Sequence, residues 1–268
     1  MAVRNGQVTS AHPIMVSVCF LDLSCVSYDR ITSEDLLAQR RGVLMPAIEA
    51  VVFDLDGLIL DSETPEYLAW QAVYDRYGLE FPRAAWLENV GRNDGPFDPL
   101  APFRVTGSPA SPADITALWQ ERRDALLRDY LTPLPGVVRL IDEVKRLGLR
   151  TAVASSTRLA RVRSLLGKLG LDKRFDALAG GDEVGRAKPA PDVYLLAARR
   201  LDVRPEACVA LEDSENGVRA ATSAGMRCIA VPSALTRGMN FSGADLVVAS
   251  LAEVTPEMIA ALSAHSPA

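Results

Sequence analysis

Asp54 and Asp56 stand two residues apart at the end of the apolar run Val51-Val52-Phe53, directly before Gly57. Alternate side chains of an extended segment point the same way, so the two carboxylates can address one point in space. Acids this close repel each other unless a cation or a shared proton relieves them. A hard divalent ion such as Mg2+ suits the pair, because it prefers oxygen ligands and typically takes one or two carboxylates together with a substrate phosphate. The residues read as a phosphate-handling centre, with a solvated aspartate pair in a turn as the plain alternative. A calcium loop of the EF-hand kind is disfavoured, since Leu58 and Leu60 fall where that pattern is polar.

Three further groups of the same chemical character recur down the chain. Ser155, with Ser156 and Thr157, follows the strand-like run Thr151 to Ala154. A hydroxyl beside a helix N-terminus can cradle an anion, although the same cluster can simply cap the helix. Lys188 precedes Pro189 and Pro191, which stiffen the backbone behind it. A fixed ammonium there could neutralise a transferring phosphoryl group, whereas an isolated loop lysine is ordinarily solvated. Glu212 and Asp213 close the run Cys208 to Leu211 and precede Ser214 and Gly217 at a helix start. Two acidic strand ends can converge on one ion, and neither makes a convincing site alone. The only histidines, His12 and His265, lie in terminal segments. A Ser-His-Asp triad, a Cys-His pair or a His-ligated zinc would need an imidazole in the folded body, so the chemistry falls to carboxylates, hydroxyls and lysine.

The elements that must position these groups alternate. Val51 to Phe53 reads as a strand buried on both faces, the kind found in parallel sheets. Strands over Thr151 to Ala154, Cys208 to Leu211 and Cys228 to Val231 are interleaved with helices at 137–147, 159–169, 193–201 and 218–224, which implies a parallel sheet wrapped by helices. In open sheets of this type ligands bind at the carboxyl ends of the strands, where the acids fall. The stretch 62–132 differs. Thr64 suits an N-cap, Pro65 the first helical position and Gly78 the C-terminal turn. Tyr67, Trp70, Tyr74 and Tyr77 recur at helical spacing as a packing stripe, and a second helix is expected over 114–130. Between them, Gly91 to Pro112 is dense in glycine and proline and reads as an irregular lip.

With 268 residues, 49% of them hydrophobic, the chain can bury a substantial core. A net charge of −5 and the lack of a dense Lys/Arg run argue against nucleic acid or an anionic membrane as the main partner. The run Ile14 to Leu21 is too short to span a bilayer and meets Asp22 at once. Cys19, Cys25, Cys208 and Cys228 show no CxxC spacing and read as reduced thiols of a cytoplasmic protein. Residues 1–44 lack periodicity and are expected to be a poorly ordered extension, or the product of a start codon assigned too far upstream.

Together the stretches VVFDLDGLILDSE, VASS, AKPAPD and ALEDSENG resemble the four motifs of the haloacid dehalogenase-like (HAD) superfamily, over roughly residues 48 to 250. The insertion between the first and second motifs is similar to the helical cap of the subfamily that contains β-phosphoglucomutase and small-molecule phosphatases. The resemblance implies an α/β fold, a Rossmann-like parallel sheet wrapped by helices, with a small α-helical cap inserted after the first strand. The core would be 45–61 and 133–268 and the cap 62–132. It further implies that Asp54 attacks phosphorus and that Asp56 shuttles a proton. Mg2+ would be held by Asp54, the Asp56 carbonyl and Asp213 with Glu212 assisting, and Ser155, Ser156 and Lys188 would bind phosphate. Arg92 and Glu66 are the candidate cap residues facing substrate. The expected activity is Mg2+-dependent hydrolysis of a small phosphorylated metabolite, a sugar phosphate, by a monomer or weak homodimer. The alternatives are a phosphosugar mutase and a non-catalytic phosphometabolite-binding protein. Against the mutase, the cap-linker histidine of β-phosphoglucomutase aligns with Glu66.

Overall fold

In chain order the elements are β1 (Ala50–Phe53), α1 (Glu63–Arg76), α2 (Arg83–Leu87), α3 (Ala101–Val105), α4 (Pro112–Leu127), α5 (Val137–Arg146), β2 (Arg150–Ala154) and α6 (Leu159–Lys168). They continue with β3 (Ala177–Ala179), α7 (Asp192–Leu201), β4 (Cys208–Glu212), α8 (Glu215–Ser223), β5 (Arg227–Ala230), β6 (Leu246–Val247) and α9 (Pro256–Ala261). The computed structural model describes residues 47–92, 95–105 and 110–264. The expected 1–44 extension, both histidines, Cys19 and Cys25 lie outside them. The described residues belong to one compact unit, Met45–Ala268.

Among the described residues the six strands are all parallel, in the order β3-β2-β1-β4-β5-β6, which gives a Rossmann-like α/β fold. The chain winds outward from β1 to β3, then crosses back to lay β4 on the other side of β1. That reversal opens a crevice at the carboxyl ends of β1 and β4. Phe53, the last residue of β1, is in register with Val153 on one side and Leu211 on the other. The residues that follow, Asp54 and Glu212, are therefore neighbours by sheet geometry.

Strand periodicity sorts side chains by size. Val51, Phe53, Val153, Val209, Leu211 and Ile229 share a face and pack against α5, α6 and α9. Ala50, Val52, Ala152, Ala154 and Ala210 share the opposite face with α7 and α8, whose Ala197, Ala198, Ala220 and Ala221 are buried against it. Small residues on both partners let these helices lie close to the sheet.

The helices between β1 and β2 form a third apolar cluster around Trp70, Tyr74, Trp86, Phe103 and Ile115. The expected aromatic stripe is packing: Trp70 stacks on Trp119 at 5.0 Å, and Tyr74 meets Phe81 and Phe103 edge-on at 5.0 Å. Several expected boundaries move. α1 starts at Glu63 rather than after Thr64, because the Asp61 carboxylate accepts the Thr64 N–H at 2.9 Å. Ser62, in the N-cap place, makes no cap because its hydroxyl donates to Asp56 at 2.6 Å. α4 begins at Pro112 behind a Ser111/Asp114 capping box and ends at Leu127 in a 3-10 turn. The stretch read as wholly irregular contains α3.

Candidate active site

The Asp54 N–H donates to the Leu211 carbonyl at 3.0 Å, so sheet pairing continues one residue past β1 and fixes the Asp54 backbone. Lys188, 1% exposed, reaches it from the loop before α7: Nζ donates to Asp54 Oδ1 at 2.5 Å, Glu212 Oε1 at 2.6 Å and the Ala154 carbonyl at 3.1 Å. Tyr194, two residues into α7, donates its hydroxyl to Glu212 Oε1 at 2.5 Å and sets its ring 4.8 Å from the ammonium. An ammonium surrounded by two carboxylates and a carbonyl is a satisfied buried charge, and removing either acid would leave it exposed to desolvation cost.

Asp54, Glu212 and Asp213 each offer an oxygen within 4.8 Å of the others. Asp213 Oδ2 is buried and lacks a hydrogen-bond partner. A buried carboxylate oxygen without a donor is costly unless a cation satisfies it, and a hard divalent ion such as Mg2+ is the fitting species for this all-oxygen set. The turn after β1 lies against this acid: Gly57 has φ +80°, and a Cβ there would sit 2.1 Å from Asp213 Oδ2. Only glycine meets both demands.

Asp56 is held differently. Its carboxylate accepts from Ser62 Oγ at 2.6 Å, Thr157 Oγ1 at 2.9 Å and Ser155 Oγ at 3.1 Å, and its side chain lies outside the acidic triplet. Ser155, expected as an anion ligand, spends its hydroxyl on Asp56 and accepts the Thr157 N–H at 2.9 Å. Ser156 instead donates to the Gly91 carbonyl at 2.8 Å. Glu212 turns one oxygen to Lys188 and Tyr194, and the other accepts the Asp213 N–H at 3.2 Å and the Ser214 hydroxyl at 3.3 Å.

A cavity of about 560 Å³ opens above Asp54 and Asp56, and Arg92 and Glu66 both line it. Sequence reading missed Glu63, Arg123, Arg158 and Arg161 on its wall. Arg123 lies over the Trp119 ring at 4.5 Å. Glu63 had one available signal, its place three residues before Glu66 on the same helix face.

Crowded buried acids resist ionisation. Burial, with Glu212 and Asp56 adding to it against the opposing Lys188, pushes Asp54 from 3.8 to about 8. Burial, then Asp54 and Glu212, raises Asp213 well above the carboxylate range. Glu63 rises through burial and then Glu66, and Glu66 rises through burial despite Arg123. For Lys188 burial works to lower the pKa, yet Asp54 and Glu212 together hold it above its ordinary value. A divalent cation at the triplet would draw Asp54 and Asp213 back to their charged forms.

The chain is 37% identical over 186 residues to the fructose-1-phosphate phosphatase YqaB of Escherichia coli, covering 68% of this chain and 95% of that one. It is 34% identical to the β-phosphoglucomutase of Bacillus subtilis, covering 79% of this chain and 94% of that one. Among solved structures, a point mutant of CbbY from Rhodobacter sphaeroides in complex with xylulose-(1,5)bisphosphate superposes with a TM-score of 0.62 at 37% identity, covering 77% and 96% of the two chains. Residues 48–225 match the family described as haloacid dehalogenase-like hydrolase, and the chain belongs to that family.

Proposed function

We propose that this protein is a Mg2+-dependent phosphatase that hydrolyses a small phosphorylated metabolite, a sugar phosphate, through an aspartyl-phosphate at Asp54. The observation that carries the reading is the Asp54 carboxylate: buried at the sheet edge, 2.5 Å from the Lys188 ammonium, beside the orphaned Asp213 oxygen, and open to the cavity it shares with Asp56.

In the first step an Asp54 carboxylate oxygen forms a bond to phosphorus as the bond to the alcohol oxygen breaks, and Asp56 gives its proton to that oxygen. In the second, water attacks phosphorus while Asp56 takes its proton, the acyl-phosphate bond breaks, and inorganic phosphate leaves with Asp54 restored. Asp56 suits the shuttle because three hydroxyls hold its carboxylate in place, and Lys188 keeps a positive charge beside the transferring group. Held by Asp54, the Asp56 carbonyl and Asp213, Mg2+ would offset charge on the phosphoryl oxygens. Glu212 acts mainly by fixing Lys188, given its 2.6 Å contact.

On this reading residues 62–132 are the cap that selects the alcohol, 45–61 and 133–268 are the core, and Arg92 and Glu66 face the substrate. Among the described residues no helix is long and apolar enough to cross a membrane, and Cys208 and Cys228 are buried free thiols.

The mutase-type relative favours a second reading, isomerisation of a phosphosugar. Glu66 opposes it, since no histidine stands there. Incubation with Mg2+ and a panel containing fructose 1-phosphate, β-glucose 1-phosphate and xylulose 1,5-bisphosphate separates the two. Hydrolysis predicts inorganic phosphate accumulating over many turnovers; isomer conversion without phosphate release would overturn it.

A further inference from the structure

Arg92 is reached through a segment that the core grips at several points. Asn216 Nδ2, in the first turn of α8, donates to the Val90 carbonyl at 2.9 Å and to the Glu88 carbonyl at 3.2 Å. Both acceptors lie just past the end of α2, where carbonyls have no helical partner. Ser156 Oγ donates to the next carbonyl, Gly91 O, at 2.8 Å. Gly91 has φ +80°, and a Cβ on it would lie 2.2 Å from Ser214 Oγ, so the backbone approaches the core as closely as glycine alone permits. Asn89, three residues before Arg92, also binds Phe97: Nδ2 donates to Phe97 O at 2.7 Å and Oδ1 accepts the Phe97 N–H at 3.1 Å.

The anchors have a common address. Ser156 follows Ser155, while Ser214 and Asn216 follow Asp213, so the residues that grip the segment are chain neighbours of those that surround Asp54 and Asp56. Asn216 also meets a specific demand, because two carbonyls need a donor and a carboxylate in its place would repel both. We infer that Asn216 and Ser156 are positioning residues: they clasp Glu88 to Gly91 onto the core and thereby set the place of Arg92 in the shared cavity. The clasp ties the wall that selects the substrate to the strand ends that carry the chemistry. Its consequence for catalysis rests on the phosphatase reading; the clasp itself does not.

Two readouts test it. Hydrogen exchange of the full-length protein should show the Val90 and Arg92 amides of N216A exchanging roughly tenfold faster than wild type, with β1 and β4 unchanged. With fructose 1-phosphate and Mg2+, N216A should raise KM by roughly three- to tenfold with kcat within about twofold, and N216D should raise it further. In an R92A background the N216A effect should vanish, since a residue acting through Arg92 has nothing left to position. S156A, a milder change, should move exchange and KM in the same direction. Unchanged exchange in N216A, or a KM effect that persists undiminished in R92A, overturns the clasp. If wild type releases no phosphate from any panel compound, the phosphatase reading falls, and the exchange measurement alone then decides for or against the clasp.

Discussion

The floor and the wall of the cavity are built on different principles. The floor gathers Asp54, Lys188, Glu212 and Asp213 from segments up to 159 positions apart in number, buries each at 5% exposure or less, and joins Lys188 to both Asp54 and Glu212 by direct ion pairs. The wall, from Glu63 and Glu66 to Arg92 and Arg123, rests on aromatic packing and on a loop held by backbone carbonyls. In the floor nearly every polar atom is spoken for, so one altered atom disturbs the whole set. In the wall, side chains can change at modest cost. On the proposed reading, the reacting groups sit in the tightly bonded floor and the groups that face the alcohol sit in the wall.

This contrast can be broken or sharpened by substitution. The largest effect belongs to D54N, which should abolish turnover by several orders of magnitude while the protein stays folded by circular dichroism; an active D54N would refute the nucleophile. K188M should follow, destabilising by about 3–5 kcal/mol in chemical denaturation because it strands two buried carboxylates. G57A forces a Cβ toward Asp213 at a positive φ, and should cost at least about 1 kcal/mol and weaken Mg2+ binding in calorimetry. In the wall, R92A should raise KM roughly tenfold with little change in stability, a purely selective lesion.

The smallest effect is in pH. Without the cation, Asp54 is raised from 3.8 to about 8 in the folded state. A carboxyl whose folded pKa lies above its unfolded value binds its proton more tightly when folded, so its stabilising contribution is complete below about pH 4 and is lost as pH rises through about 8. The Tm difference between metal-free wild type and D54N should shift against wild type across that window. Mg2+, which favours the ionised acid, should raise Tm more at pH 8 than at pH 5.

Much of the floor was legible because each residue closes a recognisable local pattern. Asp54 and Asp56 end an apolar strand, Glu212 and Asp213 end another, and Lys188 is fenced by prolines. The partners were not legible. Tyr194 looks like any apolar position on the stripe of α7, and only the fold puts its hydroxyl 2.5 Å from Glu212, 18 residues away. Glu212 itself, expected beside the metal, directs an oxygen to Lys188 for the same long-range reason. β3 and β6, with three and two residues, are too short to carry a period. Asn216 and Arg161 lie on helices where polar residues are ordinary, and their neighbours across the cavity are a tertiary fact.

The claim on which the account turns is that phosphorus bonds to Asp54 during each cycle. Acid quenching of the enzyme in steady state with Mg2+ and its best panel substrate, followed by borohydride reduction and peptide mass spectrometry, tests this directly. The account predicts reduction of an acyl phosphate to the alcohol at Asp54 and at no other acid. Steady phosphate release with Asp54 unmodified, or with the modification on Asp56 or Asp213, would contradict it.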